Sequence, residues 1–168
     1  MSRLDSVIRR LTAQRACLDQ AARHIADRDG VVLELGLGNG RTFDHLRTIL
    51  PDRAIYVFER EVRAHPDCIP AEERLFLGDV LETLERAAET LAGRAILVHS
   101  DIGTGDSARN AMLAGDIAER LPPLLAPGAM LVSDQMLPLD AAVPLDPPEG
   151  VAPGRYQMAV WNGAQGRV

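Results

Sequence analysis

The chain contains no lysine: all 18 of its basic residues are arginine, set against 24 Asp and Glu. That absence removes Schiff-base and pyridoxal-phosphate chemistry, which begins on a lysine amine. It also removes a Walker phosphate loop, whose lysine must reach the phosphates. Positive charge is in deficit as well, and a net charge of −6 gives no electrostatic reason to bind a polyanion. Neither nucleic acid nor an anionic membrane is therefore an expected partner. The two cysteines, Cys17 and Cys68, are too few for a disulfide framework, and no short-spaced Cys/His set suggests zinc. They read as free thiols in a reducing cytoplasm. The N-terminal MSRLDSVIRR meets Asp5 before any uncharged apolar stretch develops, unlike a secretory signal, and no apolar run reaches membrane-spanning length. A cytoplasmic protein is expected.

What is present is enough for one core. A length of 168 residues fits one domain, 1–168, with an N-terminal helix over 1–29, a core over 30–135 and a Pro-rich loop with an edge strand over 136–168. From Leu4 to Ile25 apolar residues recur at three- and four-residue spacing, which predicts an amphipathic helix. Val31–Leu35 is a short β-branched and leucine-rich run, the pattern of a strand covered on both faces. Helix Arg41–Leu50, strand Ala54–Phe58, strand Leu75–Leu77, helix Val80–Leu91, strand Ala95–His99, helix Ser107–Leu121 and strand Ala129–Ser133 follow. Strand and helix alternate with short connections, which argues for an α/β fold: a Rossmann-like, doubly wound, mostly parallel sheet with helices on both faces. Beyond Asp134, Pro138, Pro144, Pro147, Pro148 and Pro153 rule out a continuous helix. Only Tyr156–Trp161 recovers strand alternation, as an expected edge strand.

The informative segment is Glu34-Leu35-Gly36-Leu37-Gly38-Asn39-Gly40, between the first buried strand and the next helix. Alternate glycines let the backbone turn sharply and approach a ligand with no Cβ in the way. A dinucleotide fingerprint would need its third glycine at position 41, where this chain has Arg41. Glu59, directly after the second strand, is placed to accept hydrogen bonds from a ribose diol; its other reading is the solvated charge run Glu59-Arg60-Glu61. Asp79, in Gly78-Asp79-Val80 after the third strand, can accept from an adenine amino group and can equally cap the following helix.

Together, Glu34-x-Gly36-x-Gly38-x-Gly40, Glu59, Gly78-Asp79 and the later strands with their turn Pro127-Gly128 resemble the motif series of class I S-adenosylmethionine-dependent methyltransferases over about residues 31–135. The resemblance implies a seven-stranded sheet with S-adenosyl-L-methionine over strands one, two and four. It implies that Gly36, Gly38 and Gly40 face the methionyl part, Glu34 orders its ammonium directly or through water, Thr42 bonds its carboxylate, Glu59 binds ribose, and Gly78, Asp79 and Val80 hold adenine. Thr42 has an alternative reading as a helix-capping hydroxyl. The family usually has a full helix between strands five and six and a hairpin after it, so this chain looks shortened at its C-terminus.

In-line methyl transfer demands chiefly alignment of the acceptor and removal of its proton, so few residues are forced. The segment His99-Ser100-Asp101 lacks the Asp/Asn-Pro-Pro-aromatic signature of enzymes that methylate amide or base nitrogens, and an acidic protein without it suggests a small-molecule acceptor. His99 and Asp101 are the candidate catalytic residues, His99 as a general base or as a hydrogen-bonded structural residue. Asp101 with Asp134 and Gln135 also resembles, imperfectly, the divalent-metal site of catechol-type O-methyltransferases. Two further readings stay open: a non-catalytic S-adenosylmethionine-binding module or subunit, and an aminopropyl transferase-like enzyme. Because only the first helix and the Pro-rich tail can lie over the pocket, a homo-oligomer that supplies the missing cover is also expected.

Overall fold

A computed structural model describes residues 2–163; Met1 and residues 164–168, the outer limits of the 1–168 division and of its 136–168 segment, lie outside the described residues. Helix α1 (Arg3–His24) opens with a capping box in which Ser2 and Asp5 satisfy each other's backbone N–H, two of the donors that a helix start leaves orphaned. There follow β1 (Val31–Leu35), α2 (Arg41–Ile49), β2 (Ile55–Glu59), β3 (Leu75–Leu77), α3 (Val80–Leu91), β4 (Ala95–Ser100), α4 (Ser107–Arg120), β5 (Leu125–Ser133), β6 (Ala142–Pro144) and β7 (Gln157–Trp161), with short 3-10 turns at Pro66–Cys68 and Glu72–Arg74.

The strands form one seven-stranded sheet in the order β3-β2-β1-β4-β5-β7-β6. The first five are mutually parallel, and β7 runs antiparallel to both β5 and β6. Strand alternation divides the core. Val31, Leu33 and Leu35 pack with α3 and α4, whereas Val32 belongs with Cys17, Leu18, Phe43 and Leu46 of α1 and α2. Both faces of β1 are thus covered, which is why it reads as an unbroken apolar run apart from Glu34.

The expected elements are present with small shifts at their ends, and the Pro-rich segment holds the main differences. β7 is not an edge strand: it lies between β5 and a three-residue β6 within the Pro-rich segment, so β6 forms the edge. Pro144 ends β6, and a proline is tolerated there because an edge strand can lose a ladder donor. β5 also starts before the turn expected at Pro127-Gly128. Gly128 adopts φ +75°, and the Arg28 guanidinium donates to the carbonyl oxygens of Pro127 and Gly128, so the strand passes through an irregularity where the local sequence reads as a stop.

Gly30, at the entry to β1, has φ +150°, and a Cβ there would lie 2.4 Å from Ile96 Cγ2 and 2.7 Å from the Arg94 carbonyl oxygen. Gly30→Ala is expected to lower unfolding free energy by about 1–3 kcal/mol through overpacking, read by urea denaturation; an unchanged midpoint would mean that the β1–β4 contact is not tight.

Candidate active site

The segments singled out in the sequence converge at the carboxyl edge of β1 to β4, where open α/β sheets place their ligands. The turn after β1 holds φ at +90° for Gly36, +52° for Gly38 and +85° for Gly40. The three glycines serve different purposes. A Cβ at Gly40 would sit 2.4 Å from Cys68 Cβ, and one at Gly36 would sit 3.0 Å from the Asp101 carbonyl oxygen, while one at Gly38 would meet nothing within 4 Å. Gly36 and Gly40 let neighbouring segments close on the turn, and Gly38 keeps the space beyond it open.

Glu59 clamps this turn. One carboxylate oxygen accepts from the N–H groups of Leu37 at 2.8 Å and Gly38 at 3.0 Å, and the other from Arg60 at 2.7 Å and Glu61 at 3.2 Å. Asp79 caps α3 by accepting from the Leu81 N–H at 2.9 Å, one of its two expected roles. Asp106 caps α4 in the same way, accepting from Ala108 and Arg109.

Two chambers meet at Gly36. One, of about 330 Å³, is lined by Phe58, Glu59, Gly78, Asp79, Val80 and Ile102, with Arg109 and Met112 of α4 on its far side. The other, of about 150 Å³, is lined by the glycine turn, Thr42, Asp101 and three residues of α1: Arg10, Leu11 and Gln14.

Glu34 is fully buried and does not line either chamber. Register explains its position: Glu34 pairs with His99 across β1 and β4, and Val132 of β5 lies opposite both His99 and Met158. Glu34 and His99 therefore share the face that α1 and α2 cover, together with Tyr156, two residues before Met158. The His99 Nδ1 lies 2.6 Å from Glu34 and its Nε2 lies 2.6 Å from the Tyr156 hydroxyl, while the Thr42 hydroxyl donates to the other Glu34 oxygen. Gln14 Nε2 donates to Tyr156 at 3.0 Å and to Asp101 at 2.7 Å. Among the described residues no buried side-chain polar atom lacks a partner.

Three expected contacts change as a result. Glu34 lies beneath the glycine turn with its oxygens engaged by Thr42 and His99 and does not line either chamber. The Thr42 hydroxyl faces Glu34 and is not the helix cap, since Gly40 occupies that position. His99 is fully enclosed with both nitrogens occupied, away from where an acceptor could touch it. Burial pulls the His99 pKa down, but the Glu34 carboxylate, with Asp101 and Asp134 farther off, outweighs burial and holds the imidazole above its ordinary value. Burial, then the Asp101 charge, pushes the Tyr156 phenol far up, so it stays a neutral hydroxyl. In the protonated imidazole both ring nitrogens donate, one to Glu34 and one to the Tyr156 oxygen.

Asp101 is bound by Gln14 and, at 3.3 Å, by Arg10. Asp134 is half-buried, its pKa raised by burial and then by Asp101, and it accepts from Gln135 at 3.3 Å. Among the described residues no group of three or more His, Cys, Asp or Glu is placed to hold a metal ion; Asp101 and Asp134 are near enough for the charge of one to act on the other. Sequence reasoning missed Arg10, Gln14 and Tyr156. A signal existed for Gln14, a polar residue in the Leu11-Gln14-Leu18 stripe where helical spacing predicts an apolar one.

Comparison with known proteins gives the same outline. The family described as S-adenosyl-L-methionine methyltransferase matches residues 1–159. The crystal structure of an S-adenosyl-L-methionine methyl transferase from Silicibacter pomeroyi DSS-3 is similar at 42% identity and a TM-score of 0.91, covering 96% of this chain and 99% of that one. At the level of fold alone, a 16S rRNA (adenine(1408)-N(1))-methyltransferase from Catenulisporales acidiphilia, crystallised with cosubstrate SAM, matches at 16% identity and a TM-score of 0.51, covering 90% of this chain and 94% of that one. An O-methyltransferase family protein from Burkholderia thailandensis matches at 16% identity and 0.52, covering 89% and 56%. No curated protein matches the chain.

A raised folded pKa makes the contribution of His99 to stability complete below its unfolded value near 6.5 and lost as pH climbs through the folded value. Unfolding free energy is therefore expected to fall as pH rises above about 6.5, and Glu34→Gln, which removes the charge that raises the pKa, should abolish that slope. Urea denaturation across this range checks it; an equal slope in the variant would show that other groups set the dependence.

Proposed function

The chain belongs to the S-adenosyl-L-methionine methyltransferase family, and from that membership we propose that it transfers the methyl group to a small-molecule acceptor. It is a methyltransferase and its cofactor is S-adenosyl-L-methionine, so the non-catalytic reading falls away; the acceptor is the part proposed. One observation carries it: α1 lies across the sulfur-side chamber, which is only about 150 Å³ and is walled by Arg10, Leu11 and Gln14. With that chamber taken by the cofactor, an acceptor has to approach past α1, which favours a compact one, and the net charge of −6 favours one that is not a polyanion.

The residues present fit the cofactor. The larger chamber, with Glu59, Asp79 and Val80, suits a nucleoside, and the smaller one, open above Gly38, suits the chain that carries the sulfur. Bound there, the sulfonium supplies an electrophilic methyl group, so the protein's work is alignment and exclusion of water. Gly36 and Gly38 allow close approach of the backbone. Glu59 is proposed to take the ribose hydroxyls by exchanging part of its hydrogen bonding to the Leu37 and Gly38 N–H groups. Asp79 and Val80 are proposed to hold the adenine, Asp79 with the oxygen that does not cap α3.

We also infer a cytoplasmic homo-oligomer. Among the described residues no helix is long and apolar enough to cross a membrane, and both cysteines are free. The first turns of α1 expose Leu4, Val7 and Ile8 at 67%, 45% and 53%, beside the Arg10 and Leu11 wall of the chamber, so a second copy seated there would extend its cover.

Labelled methyl donor should transfer label to members of a small-molecule library and not to ribosomal RNA; the reverse result would overturn the acceptor class. Glu59→Ala should cost about 1.5–3 kcal/mol of cofactor affinity by calorimetry, the range for a hydrogen bond to a charged group, and unchanged binding would remove its ribose role. Light scattering should give a multiple of the 18.2 kDa chain mass; an active monomer would exclude the oligomer.

A further inference from the structure

We propose that the protein holds an apolar subsite for the acceptor in a cavity between β5, β7 and the Pro-rich segment, and that what enters it is an uncharged, benzene-sized group with a hydrogen-bonding atom beside it. The proposal rests on the small-molecule reading above and adds the chemical class of the acceptor. The cavity measures about 160 Å³ and has no ionisable side chain among its lining residues. A cavity of that order walled by aliphatic side chains takes a guest the size of benzene, and a charged group entering it would lose its hydration without gaining a partner.

Sheet pairing and proline together create the cavity. Leu131 pairs with Ala159 across β5 and β7, and Ser133 with Gln157; the two-residue period of a strand puts both pairs on one face, the α3 and α4 side to which Leu131 and Ala159 belong. Pro138 keeps the crossing from β5 to β6 out of a helix, and that crossing instead lays Leu137 and Leu139 on the sheet. The space left beneath them is apolar at the Leu131–Ala159 pair and polar at the Ser133–Gln157 pair.

The polar end fixes what the guest must carry. The Ser133 hydroxyl donates to the Gln135 carbonyl oxygen, which leaves its own oxygen able to accept. The Gln157 side chain is half-buried and makes no hydrogen bond among the described residues, so its amide offers both a donor and an acceptor. This end also adjoins the active site. Ser133 pairs with Ser100, the residue before Asp101, and the Asp134 N–H donates to the Ser100 carbonyl oxygen at 3.1 Å. With neighbouring strands roughly 5 Å apart, Gln157 lies on the order of 10 Å from the end of β4, a span that one small molecule bridges between its apolar group and the atom that is methylated.

Side-chain methyl NMR with phenol as the probe tests this without turnover. In protein saturated with S-adenosylhomocysteine, phenol should move the Leu131, Leu139 and Ala159 methyl signals saturably, since these residues line the cavity, and leave that of Met112, in the nucleoside chamber, in place. Benzoate, of like size but charged, should move none of them. Gln157→Leu, which leaves the cavity open, should weaken phenol by roughly three- to tenfold, the loss of one hydrogen bond, and leave toluene within about twofold. Ala159→Leu, which fills the cavity, should abolish phenol binding and raise the KM of acceptors found with labelled methyl donor by roughly tenfold or more, with S-adenosylhomocysteine affinity unchanged. Cavity methyl signals that phenol leaves in place, equal binding of benzoate, or unchanged acceptor kinetics in Ala159→Leu overturns the proposal. Transfer of label to ribosomal RNA and not to small molecules would instead overturn the reading on which it rests, even where phenol binds.

Discussion

Glu34 and His99 meet at 2.6 Å with both side chains wholly buried, and the organisation of the site edge follows from that contact. A carboxylate taken out of water is costly unless it is paired and hydrogen-bonded. Here each oxygen has a partner, His99 on one side and Thr42 on the other, so the first turn of α2 is drawn onto the end of β1. The second nitrogen of His99 then fixes Tyr156, which brings the end of the Pro-rich segment back to the sheet. Through Gln14 the same chain seats α1. A buried pair of this kind is weak evidence for stability and better evidence for a defined arrangement: it ties three distant segments to one spot.

The glycine turn is held from the opposite side. Glu59 gathers N–H groups from the turn and from the residues after β2, while Gly40 accepts the approach of Cys68 and Gly36 that of Asp101. The turn is therefore shaped by the chain's own contacts, which lowers the cost of ordering it on binding. The ribose contact proposed for Glu59 would replace bonds that it already makes, and would so link cofactor binding to the setting of the turn.

Much of the fold was legible because buried strands and amphipathic helices write their own periodicity. Val31–Leu35, Leu75–Leu77 and Val80–Leu91 occupy the segments that their patterns predict. The Pro-rich segment was less legible, since the three residues of β6 pair only through a long-range ladder with β7 and carry too little local pattern. The Pro127-Gly128 pair misled for a similar reason: it has turn chemistry, yet Arg28, about a hundred residues earlier in the chain, bonds the carbonyls there. At the site, the segments that meet were readable from the motifs, while the inward turn of Glu34, Thr42 and His99 was not.

The sequence by itself determined that a lysine-free acidic chain folds as alternating strands and helices with a glycine turn and acidic residues at the ends of successive strands. Those are properties of residue type and spacing along the chain. Only the tertiary structure decided which acids line a chamber and which lie buried. Register set Glu34 beside His99 and beneath α1, and Gln14 held Asp101 at the chamber wall, because side-chain direction depends on partners brought together by pairing across the sheet. The same motif residues therefore divide into a buried scaffold and an exposed wall, a division that no linear spacing encodes.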